Sequence, residues 1–308
     1  MFQSLLVPLD GSDFSEQSIP TAASIAGESG ASLHLVHVHV PLIPHSLTTM
    51  QEFAPSGIEF GPEDEQHREE EREYLNRLSQ TIAGIVEGGI DTKLLDGPVC
   101  AALEERADET DADLIVIASH GHSGVERLWL GSVTSALAQD TSRPLLVLRP
   151  VAGEDRVLGP TRFHHILVAL DGSEACEAVL DPVRELGEMG AAITLLHVVS
   201  EGFVFGARTF PLPSDELDGI MDKADDYLQS VVRRIQSGPG SVAIHVERAP
   251  SPARGILNVA ADLDVDVIAM ATHGYGGIRR AVLGSVADKV LRAAPQPVLL
   301  KRPGARPN

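Results

Sequence analysis

A chain of 308 residues, 43% hydrophobic and 22% charged, has room for two globular domains of ordinary size, each with its own core. Its formal net charge of −20 repels a phosphate backbone and argues against general nucleic-acid binding, yet a single nucleotide can still be held by backbone dipoles. No apolar run approaches the ~18 residues of a membrane span, and Cys100 and Cys176 show no disulfide- or metal-like spacing, so a reduced, cytoplasmic protein without membrane partners is expected.

The start, MFQSLLVPLDGS, has no basic region or small-residue cleavage site and reads as a first strand, not a leader. Short runs rich in Val, Ile and Leu near 4–9, 32–39, 90–95, 113–118 and 144–148 predict strands buried on both faces of a parallel sheet. Amphipathic segments between them predict helices, as in Tyr74–Val86, where Leu75, Leu78, Ile82 and Ile85 share one face. Pro41–Pro62 carries four prolines and reads as an irregular excursion. The acidic run Glu63–Glu73 reads as the solvated start of a helix, complementing its dipole.

The pattern then repeats. LLVPLDGS (5–12) returns as ILVALDGS (166–173), LHLVHVHV as ITLLHVV, and DLIVIA as DVIAMA. The offset is 161 residues at Asp10/Asp171, 160 at His37/His197 and 153 from Tyr74/Tyr227 onward. A repeat this long is a duplicated domain. The second set of strands falls near 165–170, 191–199, 242–247, 266–271 and 297–301. The expected division is a first domain over 1–150, a linker over 151–162 and a second domain over 163–303. Glu201–Pro213, with Phe203, Val204, Phe205 and Phe210, reads as a lid on its own domain or a contact with another subunit. The βαβ alternation predicts an α/β fold of two tandem, doubly wound, five-stranded parallel sheets. The edge strands near 144–148 and 297–301 are expected to pair within the chain.

The chemistry is expected where strands 1 and 4 end. In an open parallel sheet of order 3-2-1-4-5, ligands bind outside the carboxyl ends of those strands, where the order reverses. Strand 1 ends in Asp10-Gly11-Ser12 and Asp171-Gly172-Ser173, which alone would read as a turn and helix cap. Strand 4 runs into Ala118-x2-Gly121-x9-Gly131-Ser132 and, 153 residues later, Ala271-x2-Gly274-x9-Gly284-Ser285. A strand, a glycine loop and a helix N-terminus together present backbone N–H groups to an anion.

This combination resembles the universal stress protein family in its tandem, ATP-binding form. It rests on V-P-L-D-G-S (7–12), L-V-H-V (35–38) and A-S-H-G-x9-G-S-V (118–133), with L-D-G-S (170–173), L-L-H-V (195–198) and A-T-H-G-x9-G-S-V (271–286) in the second half. The resemblance implies a Rossmann-like fold of that strand order, the two domains packed as a pseudo-dimer. It assigns Asp10 and Asp171 to the adenosine end of a nucleotide, with the backbone of Val38 and Val198 on the adenine. Gly121, Gly131, Ser132 and Val133 would cradle the phosphates, as would Gly274, Gly284, Ser285 and Val286, and Pro8, Leu9, Ala118, His120, Ala169, Leu170, Ala271 and His273 complete the nucleotide-binding residues it implies. Ser132 and Ser285 would cap the helix and donate to phosphate. Arg127 and Arg280 precede the second glycine by four residues and read either as phosphate partners or as solvated surface arginines. The family's first glycine is alanine here in both halves, which matters if that position needs positive φ or a very close ligand.

The implied cofactor is ATP, with or without Mg2+, one per domain, acting in stress response through nucleotide-dependent conformation or assembly, including a homodimer. Slow ATP hydrolysis and a nucleotide-free scaffold are the alternatives. The sequence shows no P-loop, no Ser-His-Asp order and no evident water-activating base. His37 and His39 share a strand face, but no third metal ligand is evident beside them. His120-Gly121-His122 follows strand 4 rather than strand 1, which argues against transferase chemistry, and Trp129 reads as packing.

Overall fold

A computed structural model of the chain describes residues 1–41, 62–119, 130–149, 162–205, 208–235, 241–273 and 283–304. The proline-rich excursion and the linker lie almost wholly outside these residues. The first half runs β1 (Ser4–Leu9), α1 (Asp13–Glu16), α2 (Ile19–Ser29), β2 (Ser32–Val38), α3 (Pro62–Ile82), β3 (Ile90–Leu95), α4 (Val99–Glu109), β4 (Leu114–Ala118), α5 (Ser132–Asp140) and β5 (Leu145–Leu148). The second runs β6 (His165–Ala169), a 3-10 turn (Cys176–Val179), α6 (Leu180–Glu188), β7 (Ala192–Ser200), β8 (Gly202–Phe205), β9 (Arg208–Pro211), α7 (Ser214–Ile235), β10 (Val242–Ala249), α8 (Pro252–Asp262), β11 (Val267–Ala271), α9 (Ser285–Ala293) and β12 (Val298–Lys301).

Each half has the strand order 3-2-1-4-5, all parallel, as the βαβ alternation requires. The two sheets join into one of ten strands, β10-β7-β6-β11-β12-β5-β4-β1-β2-β3. The join is the antiparallel pair β12·β5, with Val298, Leu299 and Leu300 opposite Val147, Leu146 and Leu145. The edge strands therefore pair within the chain. Lys301 donates to the Ser142 carbonyl at 2.7 Å and Arg302 to the Asp140 carbonyl at 2.9 Å, placing cations at the C-terminal end of α5. Arg149 reaches back to the Leu291 carbonyl in α9. The contacts across the join are thus reciprocal, as in a two-fold dimer made covalent.

Both sheet faces are covered, so β4 (LIVIA), β5 (LLVL) and β11 (VIAMA) are apolar throughout. Leu5, Val7 and Leu9 of β1 enter one core layer and Leu6 the other, and both layers run through the two halves without a break. Each fully buried Leu or Ile contributes about 1.5–3 kcal/mol of burial free energy. At the sheet edge, β3 alternates between partly buried and exposed residues until Leu95.

Three expectations change. Helix α3 ends at Ile82, so Ile85 falls past the helix and is 54% exposed while Val86 is buried. The acidic run is only partly a solvated face, because Asp64 and Glu71 turn inward and are 5% and 8% exposed. Glu201–Pro213 contains a two-stranded antiparallel ribbon, β8–β9, which the lack of alternation in the sequence did not predict.

Candidate functional site

Strand β1 delivers Asp10 to the switch point, where Gly11 turns the chain at φ 80°. The Asp10 Oδ1 accepts from the Ser12 amide at 3.0 Å and the Ser12 hydroxyl at 2.5 Å. Ser12 is also the N-cap of α1, accepting from the Ser15 amide at 3.1 Å. The second half repeats this turn: Gly172 has φ 85°, and Asp171 Oδ1 accepts from the Ser173 amide at 3.0 Å and hydroxyl at 2.6 Å. Cys176 replaces Ser15 there, donating from Sγ to the Ser173 carbonyl at 2.9 Å, and burial pushes its thiol pKa up, so it stays a donor. The D-G-S motif is therefore both a capped turn and a fixed carboxylate.

Opposite lie α5 and α9. The Gly131 amide donates to the Ser119 carbonyl at 2.8 Å and that of Gly284 to the Thr272 carbonyl at 2.9 Å. A Cβ on Gly131 would stand 3.0 Å from Ser119 O, and one on Gly284 only 2.5 Å from Thr272 O. Close approach, tightest at Gly284, is what favours glycine there, since φ is an ordinary −55° and −57°. These glycines are the N-caps, and neither helix has a side-chain cap bond. Ser132 and Ser285 are thus the first helical residues, correcting the expectation that they cap. The uncapped N–H groups and positive dipole end face the crevice, an arrangement suited to an anion. Ala118 and Ala271 close β4 and β11 and are absent from the described residues with positive φ, so the first position of the glycine pattern makes no conformational demand for glycine here.

Between these walls lie two cavities, about 720 Å³ in the first half and 850 Å³ in the second, within the ~300–1,000 Å³ of small-molecule sites. Pro8, Leu9, Asp10, Val38, Ala118, Gly131, Ser132 and Val133 all line the first. Ala169, Leu170, Asp171, Val198, Ala271, His273, Gly284, Ser285 and Val286 all line the second. His120, Gly121, Arg127, Gly274 and Arg280 lie outside the described residues. Among the described residues no Lys or Arg lines either cavity.

Sequence spacing did not point to His37 and Tyr74 in the first wall, to His197 in the second, or to Tyr227, which packs behind His197. His37 and Tyr74 meet edge-to-face at 6.3 Å, and His197 and Tyr227 at 6.2 Å, so the repeat carries this pair in register. Burial lowers the His197 pKa, opposed by the Asp171 carboxylate, and raises that of Tyr227. Gln139 of the first half lines the second cavity, which only the antiparallel join makes possible. In the first half, Glu71, His67 and Asp64 gather on His37 and His39. The partners are 25–34 residues apart in sequence, with a proline-rich stretch between, so no local pattern announces them.

The chain is a doubly wound α/β protein with two equivalent crevices at its switch points, each walled by a fixed carboxylate and an open helix N-terminus. The model of the universal stress protein family matches residues 1–149 and 162–302. The chain belongs to that family. It is 26% identical to a universal stress protein of Mycolicibacterium smegmatis over 97% of each chain. Its 27% identity with universal stress protein Rv2005c of Mycobacterium tuberculosis spans 62% of either chain. A crystal structure of a universal stress protein from Archaeoglobus fulgidus shares the fold, with a TM-score of 0.70, 98% of each chain covered and 20% identity.

Proposed function

We propose that this protein binds adenine nucleotide, ATP in the first instance, at one site in each half. The observation that carries the reading is the crevice built twice: Asp10 faces the Gly131 helix end as Asp171 faces that of Gly284. The fit is electrostatic: uncapped helix N-termini complement phosphate charge. Asp10 and Asp171, each with Oδ1 tied to its own turn, would take the adenosine end that the family resemblance gives them. Phosphate would rest on the backbone N–H groups of the α5 and α9 starts, with Arg127 and Arg280 as the expected side-chain cations, and Mg2+ would offset the remaining repulsion from a strongly acidic chain.

Binding at both crevices, on either side of the β5·β12 join, would bias the conformation or assembly of the chain by differential affinity, the route by which it would serve a stress response in the cytoplasm. The test is native mass spectrometry with calorimetric titration of ATP. Two nucleotides per chain are expected, one after Asp10→Ala or Asp171→Ala, and none after both changes. Titration of the folded parent without heat or mass shift would refute the reading. Phosphate release above the double variant would add slow hydrolysis to it.

A further inference from the structure

We propose a second kind of site, for a divalent first-row transition ion such as Zn2+, built from His39, His67 and Glu71 of the first half and oriented by Asp64. It stands independently of nucleotide binding. His39 follows β2, and α3 crosses it so that Glu71 Oε2 lies 2.6 Å from His39 Nδ1 while Glu71 Oε1 lies 3.3 Å from His67 Nε2. One ligand atom from each of the three residues falls within 4.8 Å of the others. Small side-chain adjustments bring them to the ~2.0–2.2 Å that zinc takes from imidazole nitrogen and carboxylate oxygen. Asp64 Oδ1 sits 3.3 Å from the other ring nitrogen, Nε2. That is the carboxylate–histidine arrangement that sets tautomer and ring orientation at metal centres.

Charge supports the assignment. Two carboxylates and an imidazole are buried together, at 5%, 8% and 1% exposure for Asp64, Glu71 and His39. Buried carboxylates require compensation. One divalent cation bound through imidazole nitrogen balances the charge of the two carboxylates. His67 and Glu71 also line the nucleotide-sized cavity.

The repeat supplies a control within the molecule. The residues at the matching offsets in the second half are Val199 for His39, Leu217 for Asp64, Ile220 for His67 and Ala224 for Glu71. Val199, Leu217 and Ala224 form a small apolar core of their own. The fold closes this strand–helix junction with hydrocarbon in one half, so the polar set in the other is not demanded by the fold.

The experiment is titration of chelator-treated, nucleotide-free protein with Co2+ alone and Zn2+ alone, read by ligand-field absorption and by metal analysis after dialysis. One ion per chain is expected. His67→Ala, a change at a side chain 39% exposed, should weaken affinity by more than about tenfold while leaving the thermal unfolding of the apo protein in place, and Asp64→Asn by about tenfold. The combined His39→Val, Asp64→Leu, Glu71→Ala variant, carrying the second half's residues, should bind none. Parent affinity no greater than that of this variant, or unchanged affinity after His67→Ala, would overturn the site in favour of a purely structural hydrogen-bonded network.

Discussion

The paired glycines before α5 and α9 allow the same substitution to be made twice in one molecule with different expected costs. Gly131→Ala and Gly284→Ala each exchange an N-cap glycine for alanine, at about 1 kcal/mol. Neither change is strained in φ, so what separates them is space. The new Cβ meets Ser119 O at 3.0 Å in the first half, where a few tenths of an ångström of give suffices, but Thr272 O at 2.5 Å in the second. A backbone carbonyl that also holds the Gly284 amide at 2.9 Å cannot rotate aside, so the loop or the helix end must move. Overpacking of that kind costs ~1–3 kcal/mol. The totals are then about 1–2 kcal/mol for Gly131→Ala and about 2–4 kcal/mol for Gly284→Ala. At ~2 °C per kcal/mol for a chain of this size, thermal unfolding followed by circular dichroism should place the second variant roughly 2–4 °C below the first. Equal midpoints, or the reverse order, would refute close approach as the reason for glycine at these positions.

Other outcomes follow from the same coordinates. His197 has a pKa lowered below 6.5 by burial; a depressed folded pKa means stability that is present above 6.5 and lost as pH falls towards the folded value, so urea midpoints of His197→Gln should fall less than the parent's between neutral and mildly acidic pH. Leu299→Ala removes a fully buried side chain opposite Leu146 at the join of the sheets and should cost about 2–5 kcal/mol, measured by chemical denaturation; a loss under that range would mean that the join contributes little to the fold. Asp266 accepts from the His164 and His165 amides at 2.6 and 2.8 Å, tying β11 to the start of β6, and Asp266→Ala should cost ~1–3 kcal/mol and raise amide exchange at those two residues first.

Much of this molecule is local and therefore legible in its sequence. Continuous apolar runs such as Leu114–Ala118 announce strands buried on two faces, since a parallel sheet covered by helices gives them no polar side. The exact return of D-G-S and of the loop ending in Gly131-Ser132 and Gly284-Ser285 marks two equivalent switch points, because turns and helix starts are decided over a few residues. Even the join of the sheets follows from edge strands too apolar to be left open. What depends on which segments meet was decided by tertiary structure alone. Helix α3 crosses β2 at an angle that buries Asp64 and Glu71 against His39, although their run reads as a charged, solvated face. The helix caps fall on glycine rather than serine at positions where the preceding carbonyl crowds a Cβ, most severely at Gly284, a distance no spacing rule contains. Local propensity acts over a turn or two of chain, whereas burial and ion pairing are settled by neighbours that sequence separation does not reveal.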